Sequence, residues 1–188
     1  MIIYHIYNNE HRIFAFSDTH GSHRTLQVPE NVDIVICAGD AVEDDLLGGE
    51  YDDFIEWFAS LSCKWKIFVP GNHELSFELE KAKEITDIMT SKGITVLQDA
   101  IEDRDGVIIC SISPNITIDK EDIPTDIDLL VTHFPPYGIL DENLGSVEIL
   151  NFVLHSQPKY HLFGHIHSTA GLKYIFGNTI CVNIATIL

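Results

Sequence analysis

The chain has 188 residues, enough to bury one full core between layers of secondary structure, and is expected to form a single domain over residues 1–188. Its content of 45% apolar and 21% charged residues fits a globular protein, and no run nears the roughly 18 uninterrupted apolar residues of a membrane helix, so no membrane partner is expected. Asp and Glu outnumber Lys and Arg by 29 to 11, a net charge of −18 with the bases scattered, which excludes holding long nucleic acid by its backbone.

Residues 1–9 lack a basic segment followed by an apolar one, so no secretory signal is read and a cytoplasmic location is expected. Apolar, β-branched runs predict strands at 12–16, 33–37, 66–69, 93–97, 107–112, 128–132, 160–163, 172–176 and 179–183. Helical spacing joins Phe54, Ile55, Trp57, Phe58 and Leu61, and again Leu75, Leu79, Ala82, Ile85 and Met89. A third helix is predicted over 146–155, while 21–31 is too polar and Pro-interrupted for one. Strands and helices alternate early and hairpin-like strands close the chain, which predicts an α/β fold of two facing mixed β-sheets flanked by helices. Trp57 and Trp65 are assigned to the core. Cys37, Cys63, Cys110 and Cys181 stand singly, so neither a disulfide framework nor a thiolate metal site is expected.

The chemistry lies in short islands at the ends of these strands. Asp18 and His20 are two apart in an extended segment and so face one side. Asp40 follows Gly39 at the end of the next strand, where a carboxylate with two oxygens can bridge two cations. Gly71-Asn72-His73-Glu74 offers an amide oxygen, an imidazole and an acid within one turn. His133 ends a later strand, and Gly164-His165-Ile166-His167 repeats the spacing of two. Five of the ten histidines thus sit at strand ends, where ligands gather in α/β folds. Taken singly, each island reads more readily as a helix cap or a structural histidine than as a metal ligand. Capping alone gives no reason for all of them to occur together.

In their order and content these blocks resemble the calcineurin-like metallophosphoesterases, and the short length and the Pro135-Pro136-Tyr137 after His133 are similar to the compact bacterial branch. The resemblance implies a four-layer α/β/β/α sandwich and two divalent transition-metal ions, Mn, Fe, Zn, Ni or Co, with Mn favoured. It implies one ion on Asp18, His20, Asp40 and His167, and the other on Asp40, Asn72, His133 and His165, with Asp40 shared. It further implies hydrolysis of a small phosphoester by in-line attack of a metal-bridging hydroxide.

By the same resemblance His73 is the proton donor to the leaving oxygen. Glu43, three residues after Asp40 where many relatives carry Asp, is the expected partner of His73, and Glu74 is the alternative. The phosphatase-type block after Asp40 lacks its Arg, since Ala41-Val42-Glu43 follows, which favours phosphodiesters over phosphomonoesters. Phe134 stands where relatives often have Gly and is a candidate stacking surface. His23 and Arg24 are candidate contacts for the substrate phosphate. A phosphomonoesterase on the same site and a non-catalytic metal-binding scaffold are the alternatives.

Overall fold

The computed structural model describes residues 4–8, 11–43, 51–77 and 81–186, and its strands fall into two sheets. The first has the order β1 (Tyr4–Asn8), β2 (His11–Phe16), β3 (Ile34–Cys37), β4 (Trp65–Phe68) and β5 (Ile94–Val96). β1 is antiparallel to β2 and the rest are parallel. The second is built from β6 (Ala100–Arg104), β7 (Val107–Ser111), β8 (Leu129–Val131), β9 (Tyr160–Phe163), β10 (Lys173–Phe176) and β11 (Thr179–Asn183). Its order is β10-β11-β9-β8-β7-β6, with a parallel centre and an antiparallel strand at each edge.

Side-chain alternation assigns the layers. Along β2, Ile13 and Ala15 join Ile34, Ile36 and Ile67 in one cluster with Ile109, Leu129, Val131, Leu162 and Val182 of the second sheet, so these faces meet. The opposite face of the first sheet, Phe14, Phe16, Val35, Cys37 and Phe68, is covered by α1 (Tyr51–Ser60) and α2 (Ala82–Ser91) through Tyr51, Phe54, Phe58, Ile85 and Met89. The far face of the second sheet packs Cys110 and Leu130 on Ile149, Phe152 and Val153 of α3 (Val147–Ser156). The result is the helix, sheet, sheet, helix layering anticipated from the sequence.

Several boundaries differ from the sequence reading, each for a physical reason. The helix placed from Leu75 begins at Ala82, because Leu75–Phe77 form a single 3₁₀ turn that sends Phe77 into the core beneath α1; Leu79 lies outside the described residues. Ser146 caps α3 rather than starting it, its hydroxyl accepting the Ile149 N–H at 3.1 Å. β1 and β6 were not anticipated. β6 is an exposed, charged edge strand of low β-propensity, and its hairpin to β7 turns through Asp105 and Gly106, both with positive φ. Among the described residues no helix is long and apolar enough to cross a membrane.

Candidate metal centre

The carboxyl ends of parallel strands from both sheets converge. The residue after Phe16 of β2, Ser17, bridges to Ala185, donates its N–H to Ile184 O at 3.1 Å and accepts the Thr186 N–H at 3.0 Å, which joins the sheets at this end. Asp18 is wholly buried beside that seam, and its carboxylate accepts the backbone N–H of His165 at 3.1 to 3.2 Å. The first and last islands are therefore tied together directly.

Backbone geometry here departs from the ordinary. Asp18 (φ 56), His20 (φ 42), Asp40 (φ 50) and His165 (φ 67) all lie in the left-handed region, which is strained for residues bearing a Cβ and concentrates at sites with a task. Gly39, at φ 88, permits a close approach: a Cβ there would lie 2.5 Å from the Gly71 nitrogen, and one on Gly71 would lie 2.3 Å from Asp40 Oδ1. The loops carrying Asp40 and Asn72 touch because both positions lack a Cβ.

Three trios of candidate donors result among the described residues. Asp18, His20 and His167 form one, Asp40, His133 and His165 another, and His20, Glu43 and His73 a third, with the donor atoms of each trio within 4.8 Å of one another. His167 Nε2 is 3.3 Å from Asp18 Oδ1, and His133 Nε2 is 3.2 Å from Asp40 Oδ2 and 2.9 Å from Asn72 Oδ1. His133 Nδ1 donates to the Ala38 carbonyl at 2.8 Å, which leaves Nε2 as the nitrogen turned to Asp40 and Asn72. Both ring nitrogens of His20 are buried without a hydrogen bond among the described residues. That is what a cation would relieve, so the donor set fits one.

The electrostatics follow from burial against pairing. Burial disfavours charge on Asp40, but the hydrogen bond and charge of His133 and the His73 N–H outweigh it and hold the Asp40 carboxyl below the usual range. Burial likewise opposes charge on His133, yet Asp40 wins and raises it to about 9. Glu74 is pushed up to about 7 by burial first and the Asp40 charge second.

Glu74 has a role the sequence did not reveal. Its carboxylate accepts the N–H groups of Asp40 (2.8 Å), Ala41 (2.8 Å) and Gly71 (2.5 Å), clamping the second and third islands together. It is therefore not the partner of His73, and the alternative raised for it gives way. Glu43 is beside His73: Oε2 is 3.7 Å from His73 Nδ1, while Oε1 is 3.5 Å from His20 Nδ1. His73 is partly exposed, its N–H donates to Asp40 Oδ1 at 2.9 Å, and its ring packs edge-on to His20.

His23 and Arg24, expected near a substrate phosphate, turn instead to α1. His23 is buried, Nε2 lies 3.0 Å from Asp53 Oδ2, and the ring packs on Phe54 and Trp57. Arg24 makes a two-pronged contact with the same carboxylate at 2.6 and 2.9 Å. A single acid on α1 contacts both, which sets them to anchoring the loop. Phe134 does border the centre, its ring 4.3 Å from that of His165. A cleft of about 220 Å³ opens beside it, lined also by Asn72 and His133. Thr186, whose hydroxyl donates to the Asp18 carbonyl at 2.6 Å, carried no signal in the sequence.

Residues 11–169 match the family described as calcineurin-like phosphoesterase. The chain belongs to that family. This calcineurin-like phosphoesterase is 31% identical over 217 residues to human metallophosphoesterase domain-containing protein 1, the match covering 92% of the chain and 65% of the relative. It is 29% identical to a UPF0046 protein of Caenorhabditis elegans, covering 93% of the chain and 69% of that protein. In structure it is similar to the phosphopantetheinyl hydrolase of Mycobacterium tuberculosis (TM-score 0.63, 16% identity, 93% of this chain and 88% of that one). TT1561 of Thermus thermophilus is similar too (TM-score 0.66, 16% identity, 91% and 87%). These two share the fold, and the family supports metal-dependent phosphoester hydrolysis.

Proposed function

We propose that the chain hydrolyses small phosphodiesters at a dinuclear centre. The observation that carries this is the two donor trios that draw on both sheets, Asp18-His20-His167 and Asp40-His133-His165, built of oxygen and imidazole donors alone. One ion would be held by Asp18, His20, Asp40 and His167, and the other by Asp40, Asn72, His133 and His165. Thiolate-free donors suit Mn, Fe, Zn, Ni or Co, and Mn is the first proposal. When bound, such a pair would neutralise phosphate charge and lower the pKa of coordinated water.

The chain's own residues supply the rest. His73 reaches toward Asp40 from an accessible position and delivers a proton to the departing oxygen, while Glu43 orients its ring from the Nδ1 side. The Ala38 carbonyl and the Glu74 clamp hold His133 and Asp40 without themselves meeting substrate. Preference for diesters is supported by the absence, among the described residues, of a free arginine near the phosphate position: Ala41-Val42-Glu43 follows Asp40, and Arg24 is committed to Asp53.

The test is metal analysis of the purified protein together with the relative turnover of bis-p-nitrophenyl and mono-p-nitrophenyl phosphate on one preparation. Faster diester turnover, lost on chelation, is expected. Faster monoester turnover would make the chain a phosphomonoesterase, and metal-replete protein inert on both would leave it a scaffold.

A further inference from the structure

The third trio, His20, Glu43 and His73, lies on the exposed side of the centre and belongs to neither of the two that carry the proposed function. Glu43 stands between two imidazoles. Its Oε1 is 3.5 Å from His20 Nδ1 and its Oε2 is 3.7 Å from His73 Nδ1. Both separations exceed the roughly 3.2 Å reach of a hydrogen bond. They lie instead near the spacing of about 3.4 Å that ligands keep around a tetrahedral ion with bonds of about 2.0–2.1 Å.

His20 is common to this trio and to that of Asp18 and His167. Both of its ring nitrogens are buried without a hydrogen bond among the described residues, and Nδ1 is the one turned to Glu43. A ring that also serves the Asp18 trio must do so through its other nitrogen. Holding an ion on each releases the ring proton, which makes the third position the weaker one. Two imidazoles and one carboxylate, with a fourth place left to water, suit a zinc-like ion, whereas Mg²⁺ selects oxygen ligands.

We propose that His20, Glu43 and His73 form a third, weaker cation site selective for a zinc-like ion, and that its occupation inhibits the chain. The inference rests on the hydrolytic reading above, in which His73 protonates the leaving oxygen. His73 turns Nε2 toward Asp40 and Nδ1 toward Glu43. With Nδ1 on an ion the ring cannot carry its second proton, so the imidazolium that would donate one does not form. Glu43 is drawn onto the same ion and no longer orients the ring.

Equilibrium dialysis against increasing Zn²⁺, with metal counted per chain and turnover of bis-p-nitrophenyl phosphate followed in parallel, tests this. Wild-type protein is expected to take two ions tightly and a third weakly, with the rate falling as the third binds. Glu43 is 64% exposed, so Glu43→Gln does not threaten the fold. Both Glu43→Gln and His73→Ala are expected to keep the tight pair and lose the third ion. The zinc needed to halve the rate of Glu43→Gln, relative to its own rate at two ions, is expected to rise by roughly tenfold or more. Excess Mg²⁺ is expected to leave the wild-type rate unchanged. The absence of a weaker zinc ion in the wild type, its retention in either variant, or equal inhibition by Mg²⁺ overturns the third site while the hydrolytic reading stands. A rate that stays level while the third ion binds overturns its inhibitory role. If wild-type protein with two ions per chain turns over no phosphoester, the hydrolytic reading falls and the inhibitory role falls with it.

Discussion

Glu74 grips the peptide of Asp40 rather than the ring of His73: its Oε2 accepts the Asp40 N–H at 2.8 Å from a fully buried position. The same oxygen accepts the Gly71 N–H, and Oε1 accepts that of Ala41. Gln in its place has one oxygen and one NH₂, so at least one backbone N–H would face a donor. Glu74→Gln is expected to lower stability by about 1–3 kcal/mol and to reduce occupancy of both ions. Urea unfolding and metal content per chain measure the two effects, and full occupancy would refute the clamp.

His73 and Glu43 are expected to act as a unit on the leaving group. His73→Ala should lower kcat by about 10²–10⁴ with metal content unchanged. Glu43→Gln should cost less alone and almost nothing in the His73→Ala background, because an orienting group is silent once its imidazole is gone. Additive losses would place Glu43 on the ions instead, a role its 3.5 Å approach to His20 leaves geometrically open.

Chelation is expected to remove activity and lower the melting temperature together. Each ion at a hundred times its dissociation constant adds about 2.7 kcal/mol to a fold that binds it natively. Calorimetry with EDTA, then with Mn²⁺ restored, checks this; an unshifted transition would mean that the paired trios hold no stabilising cation.

Acid sensitivity should come in part from His161. It is buried, and since the Thr132 hydroxyl spends its one proton on the Phe134 carbonyl, His161 Nε2 is the donor in the 2.8 Å contact with Thr132. Burial lowers its pKa from 6.5 to about 3. Between those values the unfolded chain binds a proton that the folded one refuses. The stabilisation is therefore complete above pH 6.5 and is lost as the pH falls. At pH 5 the loss is about 2 kcal/mol. Urea midpoints at pH 7.5 and 5 should differ less in His161→Gln than in the wild type, and equal slopes would count against it.

Gly164→Ala should damage the centre from behind. A Cβ there would lie 2.1 Å from Ser17 Oγ and 2.2 Å from Asp18 Oδ2, so Asp18 must move. A stability loss of about 1–3 kcal/mol, with weakened metal retention, is expected. Wild-type retention in a folded variant would show that Asp18 is dispensable.

The layering and the clustering of Asp18, Asp40, His133, His165 and His167 were legible because strand periodicity and strand-end chemistry are both local signals. β6 was not, since Ala-Ile-Glu-Asp-Arg reads as a polar loop and its strand state comes from pairing with β7, although Asp105-Gly106 marks the hairpin turn. His23 and Arg24 were misplaced because their partner, Asp53, lies some thirty positions away on a helix face that composition does not reveal. The clamp by Glu74 was hidden for a related reason: an acid at the start of a turn looks like a dipole-compensating surface residue, and only the fold buries it.

The bond from the His165 amide to Asp18 spans 147 positions. During synthesis the first three islands emerge long before the last: a nascent chain reaching only β8 carries His20, Glu43 and His73 but lacks the imidazoles that complete the trios on Asp18 and Asp40. Completion of those two trios is thereby deferred to the final stage of assembly, after the second sheet has docked.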